Sequence, residues 1–381
     1  MIEYIRGRQV YTGRGIVENV CVVFSGKILL GLSRRPRGRC IGEAAVITPA
    51  FLDAHAHIGM HRSGEPSDEA EANEKLDPFT ITADALDSIQ MDDDAFRRSI
   101  RAGVLYSCVV PGSGNIIGGK SAVIRNYGAT TTDALIGRAG IKGAFGYNPM
   151  STRDWKGSRP WTRMGALGQL RVKLAAVRAK AQKAGRLPAA KRRDVEFTPE
   201  DEILRSLLAR REVFRVHAHK ADDIAALLRI ADEFHLRITV DHAMDVHEKS
   251  VFDALRRRGV TVVYGPLDSL PYKVELRHED PRHVRLLVES GVDFGLMTDH
   301  PVILQETLLL NLRWFLRAGL SKPAALEIIT RRNARILGLS RVLGTLERGK
   351  WASFVAWDGD PFDLASQPVA VYGEGRKLYE A

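Results

Sequence analysis

The chain has 381 residues, 45% of them hydrophobic and 27% charged, and its formal net charge is +10. A chain of this length is too long for a single small domain. It suits a barrel of about 250 residues with a smaller unit beside it. The apolar content excludes a chain that is disordered throughout. No apolar run approaches the roughly 18 residues of a membrane helix, and the first residues lack the apolar stretch of a secretion signal, so we expect a cytoplasmic protein.

Both ends of the chain show short strand patterns separated by turn residues. These patterns cover residues 9–11, 17–24, 27–30, 352–357 and 369–372. Neither end has enough apolar residues to fold alone. We therefore expect residues 1–48 and 343–381 to pair into one small β layer beside the middle of the chain.

Between residues 49 and 342, short apolar runs alternate with helical spacing, as over residues 224–234 and 284–288. Buried strands of parallel sheets read as near-continuous apolar runs. Such runs cover residues 46–52, 105–110, 141–145, 213–216, 238–240, 260–264 and 294–297. This alternation predicts an α/β fold with a (β/α)8 barrel. An open doubly wound sheet is the alternative, but no Gly-x-Gly-x-x-Gly follows the first strand.

The eighth strand of such a barrel has no clear signal in the sequence. Residues 161–211 carry helical patterns and offer no strand. Further along, Ser321 and Pro323 indicate the start of a helix that ends at Gly338.

The positive charge is concentrated in one segment. Residues 153–193 contain 13 lysines or arginines and one acidic residue, whereas the rest of the chain has 43 basic and 45 acidic residues. We interpret this segment as a solvated, amphipathic helical insertion. Its predicted buried stripe consists of Met164, Leu167, Leu170, Leu174 and Val177. Contact with an acidic substrate or partner is a second interpretation. Nucleic-acid binding is disfavoured, because no zinc finger or RNP-like aromatic motif accompanies the charge.

Potential metal ligands follow several of the predicted strands. In chain order they are His55, His57, His217, His219, His242, Asp299 and His300. The carboxyl ends of all strands meet on one face of a (β/α)8 barrel, so these side chains would converge. Residues i and i+2 of a strand point the same way, so both imidazoles of a His-x-His motif can reach one ion. Imidazole nitrogen and carboxylate oxygen suit zinc, manganese or iron.

These motifs resemble those of the amidohydrolase superfamily. The run ITPAFLDAHAHIG at residues 47–59 is similar to its first-strand signature, and VHAH at 216–219 to its fifth-strand motif. DH at 241–242 resembles the sixth-strand histidine, and MTDHP at 297–301 the eighth-strand aspartate. GTLERGK at 344–350 resembles the stretch that returns the chain to a β-sandwich built from both ends. The likeness covers nearly the whole chain and is nearest to imidazolonepropionases and prolidase-like enzymes.

The resemblance implies a metal held by His55, His57, His217, His242 and Asp299 inside a barrel over residues 49–342. It also implies a β-sandwich formed by residues 1–48 and 343–381. The expected reaction is hydrolysis of a C–N bond by metal-activated water.

In that reaction Asp299 acts as general base and then as general acid. His242 completes the metal shell or polarises the carbonyl oxygen. His219 points the same way as His217 and could replace or support it.

The number of metal ions depends on a middle strand. Many members of the superfamily bind a second ion through a carboxylated lysine or a glutamate there. The corresponding stretch here is AFGYNP at residues 144–149, and Tyr147 stands where the nearest relatives have glutamate. We therefore predict one divalent ion, preferably zinc, with manganese or iron as alternatives.

The substrate is expected to be a small molecule such as a cyclic amide, an imidazolone, a urea, an amidine or a dipeptide. Lys120 could bind an anionic group of it, although a lysine beside two glycines is more often a solvated loop charge. His61, Arg62, Tyr147 and His300 are candidates for contact with substrate or with the ligands. The superfamily further implies a possible homo-oligomer. A non-catalytic binding or scaffold protein of the same fold is the alternative function.

Overall fold

The computed structural model describes residues 1–66, 69–150, 158–188, 194–271 and 273–381. Within these ranges no helix has the length and apolar character needed to cross a membrane. The described chain forms a seven-stranded sheet and an eight-stranded sheet, with helices packed around the second. The predicted α/β fold is therefore confirmed.

The strands are numbered in chain order. They are β1 (Ile2–Tyr11), β2 (Ile16–Ser25), β3 (Ile28–Ser33), β4 (Arg39–Pro49), β5 (Phe51–Ala56), β6 (Val104–Val109), β7 (Ile117–Arg125), β8 (Leu135–Ala144), β9 (Phe214–Ala218), β10 (Ile238–His242), β11 (Thr261–Tyr264), β12 (Phe294–Leu296), β13 (Phe354–Trp357), β14 (Pro368–Gly373) and β15 (Arg376–Glu380).

The helices are numbered in the same way. They are α1 (Asp94–Arg101), α2 (Thr131–Ala134), α3 (Arg163–Arg186), α4 (Pro199–Leu208), α5 (Ala221–Phe234), α6 (Lys249–Arg257), α7 (Val284–Ser290), α8 (Arg313–Arg317), α9 (Lys322–Glu327) and α10 (Asn333–Ile336). A π-helical turn, Ile328–Arg332, joins α9 to α10, so the helix predicted up to Gly338 is one continuous run.

Both chain ends contribute to the seven-stranded sheet, in the order β15-β14-β13-β4-β1-β2-β3. Phe24 on β2 packs against Phe354 on β13, with ring centroids 5.6 Å apart, although β1 and β4 lie between these strands in the sheet. The sheet must therefore curl until its two halves face each other. This gives the separate sheet unit that the resemblance implies, built from one curled sheet; the boundaries at residues 48 and 343 remain predictions.

The eight-stranded sheet runs in the order β5 to β12 and is nearly closed. Its neighbouring strands are parallel except for β7, which is antiparallel to both β6 and β8. Just beyond β12 the Asp299 N–H donates to the His55 carbonyl at 3.1 Å, and the His57 N–H donates to the His300 carbonyl at 2.8 Å. These two bonds join the first edge of the sheet to the last, so we call this junction the seam.

The strict alternation of strand and helix expected of a (β/α)8 barrel is not what the sheet shows. The missing strand is β7, which follows β6 directly and reverses direction. Gly118 and Gly119 interrupt its apolar run, so this strand gives no clear signal in the sequence. Residues 163–186 and 199–208 are helical, as expected for a stretch that offered no strand.

The basic segment contains helix α3, which confirms the helical interpretation for residues 163–186; residues 153–157 and 189–193 lie outside the described ranges. Leu170, Leu174 and Val177 are buried as predicted, and Leu167 is partly buried. Met164, however, is 81% exposed. Six residues separate it from Leu170, which at 3.6 residues per turn places it about 120° away around the helix. Ala166 takes its place in the buried stripe.

Several cations of α3 have acidic partners on neighbouring helices. Lys180 pairs with Asp201 on α4 at 2.6 Å, and Arg171 pairs with Glu233 on α5 at 2.7 Å. The positive charge that is so conspicuous in the sequence is therefore partly neutralised within the fold. This agrees with the favoured interpretation of a solvated structural helix.

Asn333, at the start of α10, ties the two strands at the seam together. Its side-chain amide donates to the carbonyls of Leu52 on β5 at 2.6 Å and of Leu296 on β12 at 2.8 Å. Its amide oxygen accepts from the Leu296 N–H at 3.1 Å. One fully buried side chain thus satisfies three backbone groups that have no ladder partner at the barrel junction.

We expect Asn333→Ala to lower the free energy of unfolding by about 2–4 kcal/mol, because it leaves buried backbone groups without partners. Urea denaturation measures this change. Gln182→Ala, which removes an exposed amide from α3, is the matched control and should change stability by less than about 0.5 kcal/mol. A loss in Asn333→Ala no larger than in the control would show that the seam does not depend on this side chain.

Candidate metal centre

The candidate ligands lie at the carboxyl ends of four parallel strands. His55 lies near the end of β5, His217 near the end of β9 and His242 at the end of β10. Asp299 follows β12 by three residues. The barrel therefore brings together the residues that the sequence placed at separate strand ends, as the geometry of parallel strands requires.

His55, His57 and Asp299 form the first group of possible ligands. The Nε2 atoms of both histidines lie 3.2 Å from Asp299 Oδ1. The Nδ1 atom of His55 is 2.8 Å from Asp241 Oδ2, and that of His57 is 2.7 Å from the Val110 carbonyl oxygen. Both acceptors require Nδ1 to carry the proton. The Nε2 lone pairs of His55 and His57 therefore face Asp299 and are free to bind a metal.

His217, His219 and His242 form the second group, whose ligand atoms lie within 4.8 Å of one another. The ring centroids of His217 and His242 are 4.2 Å apart, and those of His219 and His242 are 4.7 Å apart. His242 Nδ1 is 2.9 Å from the Gly265 carbonyl oxygen, so its Nε2 is unprotonated. His219, predicted only as a replacement or support for His217, lies beside both histidines.

The two groups adjoin. The rings of His55 and His242, one from each group, have centroids 5.1 Å apart. Buried polar atoms that lack a hydrogen-bond partner among the described residues include His55 Nε2, His242 Nε2, His217 Nδ1, His219 Nδ1 and Asp299 Oδ1. Buried polar groups are almost always satisfied, so several orphaned nitrogen and oxygen atoms in one place indicate an absent partner. Their chemistry, imidazole and carboxylate, fits a divalent transition metal.

The protonation states of these groups also suit a metal. Burial lowers the pKa of His57, His217 and His242, and it lowers the pKa of His219 to about 3. These imidazoles are neutral at pH 7, the form that binds metals. Burial alone would raise the pKa of Asp299, but nearby His242, His55 and His57 hold that pKa well below its usual range, so the group is a carboxylate.

Asp241 binds the side of the His55 ring that faces away from Asp299. Its carboxylate is fully buried, accepts from His55 and lies 3.4 Å from the guanidinium of the equally buried Arg215. Burial alone would raise its pKa, yet Arg215 and His55 hold it below its usual range. A carboxylate that binds the far nitrogen of a ligand histidine fixes its ring orientation and strengthens it as a ligand. The sequence analysis had assigned Asp241 no role.

Lys142, on β8, is the other group that the sequence analysis missed. Its side chain is fully buried, and its Nζ atom has no hydrogen-bond partner among the described residues. Burial lowers its pKa to about 8, against the opposing influence of Asp241 and Asp299. A lysine inside the apolar run at residues 141–145 was a visible signal, because burying an unpaired ammonium is costly.

Tyr147 does not lie among the ligands, since its residue surface is 49% exposed. Its backbone N–H donates to Oε2 of the buried Glu275 at 2.9 Å. The other Glu275 oxygen lies 3.8 Å from both His217 Nε2 and Lys273 Nζ. A buried carboxylate close to His217 of the second group therefore comes from the segment after β11, remote in sequence from Tyr147.

The remaining predicted residues are distributed around the centre. His61 lies beside the first group, its ring centroid 6.0 Å from that of His57. His300 contributes its backbone to the seam, and its ring Nδ1 accepts from the Gln305 N–H at 3.3 Å. Lys120 pairs in register with Ile141, one residue from Lys142, so it occupies the opposite face of the sheet from Lys142. The structure does not bring Lys120 to the histidines.

Comparison with known proteins places the chain in a family. Residues 169–377 match the model of the amidohydrolase family. The amidohydrolase tasK of Hapsidospora irregularis is 26% identical over 366 residues, which are 89% of this chain but 37% of that protein. Thus the chain spans little more than a third of that relative. An imidazolonepropionase of Legionella pneumophila (strain Corby) is 23% identical over 358 residues, 85% of this chain and 81% of that enzyme.

Solved structures agree. The crystal structure of an amidohydrolase from Thermotoga maritima MSB8 superposes over the full length of both chains with a TM-score of 0.92 and 30% identity. A prolidase complexed with N-methylphosphonate-L-proline superposes with a TM-score of 0.64 at 17% identity, a likeness of fold. The chain belongs to the amidohydrolase family of hydrolases.

Proposed function

We propose that this protein hydrolyses a C–N bond of a small cyclic amide or related compound, using divalent metal held by the two ligand groups. One observation carries the proposal. Buried histidine nitrogens and an aspartate oxygen converge at the carboxyl ends of the barrel strands and have no hydrogen-bond partner within the described part of the chain. A non-catalytic scaffold would have no reason to bury these groups at such a cost.

When bound, a divalent ion supplies a water nucleophile at neutral pH and polarises the carbonyl oxygen under attack. The protein residues supply the rest. His55, His57 and His242 present unprotonated Nε2 atoms, because their Nδ1 atoms donate to fixed acceptors. The ligand set is therefore preorganised, and zinc is the ion that suits it best, with manganese or iron as alternatives.

Asp299 moves the proton. Hydrolysis adds hydroxyl to the carbon and hydrogen to the nitrogen, so one group that accepts a proton from water and then donates it to nitrogen completes the balance. The Asp299 carboxylate is ionised and lies 3.2 Å from the Nε2 atoms of both His55 and His57. His242 lies next to it and is positioned either to complete the metal shell or to polarise the carbonyl oxygen.

Imidazolones are the substrate class that we favour, because a curated imidazolonepropionase matches most of this chain. An anionic group on such a substrate would meet Lys273. Its Nζ atom lies 3.0 Å from Asn148 Oδ1, and the Asn148 amide nitrogen lies 3.3 Å from His217 Nε2. Lys273 therefore replaces Lys120 as the cation proposed to bind substrate.

We further propose two metal ions in place of one. The single-ion prediction rested on Tyr147, which lies outside the ligand groups. Three candidate ligands occur in each of two groups, which leaves open positions for water and substrate on both ions. We propose that Lys142, which is buried on the middle strand β8 without a partner among the described residues, takes the role that a carboxylated lysine has in other members. Its lowered pKa increases the fraction of neutral amine, the form that reacts with carbon dioxide.

Metal analysis by mass spectrometry, after passage over a weak chelating resin, tests the number of ions. We expect about two equivalents in the wild type and about one in Lys142→Met, which keeps the buried volume but loses the amine. Lys120→Met, on the other face of the sheet, is the control and should retain two. One equivalent in the wild type would restore the single-ion prediction, and two equivalents in Lys142→Met would exclude this lysine from the centre.

Turnover of a panel of imidazolones, cyclic amides, ureas and N-acyl compounds tests the reaction. We expect Asp299→Asn to lower kcat/KM by at least about 100-fold, because the proton can no longer be taken up and returned. Asp232→Asn, an exposed residue of α5, is the control and should behave as the wild type. Metal content measured in parallel separates lost proton transfer from lost metal.

Two results would contradict the proposal. Unchanged turnover in Asp299→Asn would refute the role of this carboxylate. A wild type that retains its metal but turns over no compound of the panel would favour the non-catalytic scaffold.

A further inference from the structure

A further cluster of histidines lies outside the two ligand groups of the proposed catalytic centre. Three of the 11 histidines, His247, His278 and His283, gather near Asp245. Asp245 and His247 belong to the loop between β10 and α6, while His278 and His283 belong to the segment between β11 and α7. The ring centroids of His247 and His278 are 4.2 Å apart, and those of His247 and His283 are 6.4 Å apart. Two loops that are 30 or more residues apart in sequence thus present imidazoles to one place.

The spacing within this cluster is that of a metal site. Asp245, His247 and His278 each offer one ligand atom, and these atoms all lie within 4.8 Å of one another. Asp245 Oδ2 and His278 Nδ1 are 3.4 Å apart. Zinc bonds to oxygen and nitrogen measure about 2.0 Å, so two ligands of one tetrahedral ion lie roughly 3.3 Å apart. The observed separation is close to this value and is longer than a strong hydrogen bond.

Two of the three candidate ligands, Asp245 and His247, are already oriented by a further hydrogen bond. Asp245 Oδ1 accepts from the His278 backbone N–H at 2.7 Å, which fixes the carboxylate and leaves Oδ2 toward the ring of His278. His247 Nδ1 lies 3.0 Å from the Asp245 carbonyl oxygen and must be the protonated nitrogen, so its Nε2 is the free ligand atom. Hydrogen bonds of this kind on the far side of metal ligands are typical of real sites.

The charge of Asp245 points to a cation. This residue is 3% exposed, and no lysine or arginine of the described ranges pairs with it; His278 is its partner. Burying a carboxylate is costly without a compensating positive charge. Nearby, His283 Nδ1 is buried and has no hydrogen-bond partner among the described residues. His247 and His283 also line a groove of about 590 Å³, which gives an ion access from solvent.

We propose that Asp245, His247 and His278 form an outer binding site for a divalent transition metal such as zinc, distinct from the two ligand groups in the barrel. His283 is the candidate for a fourth position. The site lies close to the catalytic centre along the backbone, because Asp245 follows His242 by three residues and its N–H donates to the His219 carbonyl at 3.3 Å. An ion bound there would hold the loop that directly follows His242 of the second group.

Isothermal titration of zinc into the protein with its inner ions already loaded tests this proposal. We expect one further equivalent to bind in the wild type and to be lost in a His247→Ala/His278→Ala variant. Both residues are exposed, so the double substitution should leave the fold intact. His235→Asn, which replaces an exposed histidine in the left-handed conformation that ends α5, is the control and should retain the further equivalent.

The outcome is independent of the proposed hydrolase reaction. A His55→Ala/His57→Ala variant removes ligands of the inner centre and should still bind zinc at the outer site. Absence of a further equivalent in the loaded wild type, or its persistence in His247→Ala/His278→Ala, would overturn the outer site. Single His278→Gln, which keeps a polar side chain but lowers the number of imidazoles, should weaken zinc binding and thereby confirm that the loss in the double variant is due to the ligands.

Discussion

Closure of the barrel at the seam is the constraint on which the rest of the structure depends. β5 carries His55, and Asp299 follows β12, so the first group of ligands exists only where these two edges meet. The backbone bonds that join the edges involve the ligand residues themselves, since the N–H of Asp299 donates to the carbonyl of His55. Asn333 joins β5 to β12 through hydrogen bonds to Leu52 and Leu296. The buried Asp53 carboxylate adds to this junction, because it accepts hydrogen bonds from Thr298 and Gln305. Folding of the barrel and assembly of the centre are therefore one event.

Burial of charge around the centre is costly, and the structure offsets that cost only in part. Arg215 and Asp241 compensate each other, whereas Lys142 and the orphaned ligand atoms have no partners within the described chain. His242 and Asp299 also adopt left-handed backbone conformations, with φ of +87° and +53°. Such conformations cost roughly 1–3 kcal/mol each and concentrate where function requires a fixed side chain. A bound divalent ion would offset the free-energy cost of desolvating the ligands and of the strained backbone at His242 and Asp299. Strain and unpartnered polar atoms therefore occur at the same place.

Much of the centre could be predicted from the sequence, because periodicity fixes where a strand ends and parallel strands end together. That reasoning predicted His55, His217, His242 and Asp299 as ligands, and the structure brings them into the two groups of possible ligands. It could not find Lys142, since a lysine in an apolar run does not reveal which face of the strand it occupies until the register with β9 is known. It also could not find Glu275, which comes from a different loop and has a carboxylate oxygen 3.8 Å from His217 Nε2. Contacts between loops are set by tertiary packing, and no local pattern encodes them.

The antiparallel strand β7 shows why the fold tolerates a departure from strict alternation. None of the residues of the two ligand groups lies on it, so its direction leaves the centre unchanged. A glycine of β7 makes room for the segment near Ala83 that packs against this strand. Gly119 has φ of +110°, and a Cβ atom there would lie 2.3 Å from the Ala83 carbonyl oxygen. The segment near Ala83 bridges β7 at Asp84 and Phe79, which requires this close approach. The glycine that interrupts the strand pattern at residue 119 is thus what allows the Ala83 segment to pack against β7.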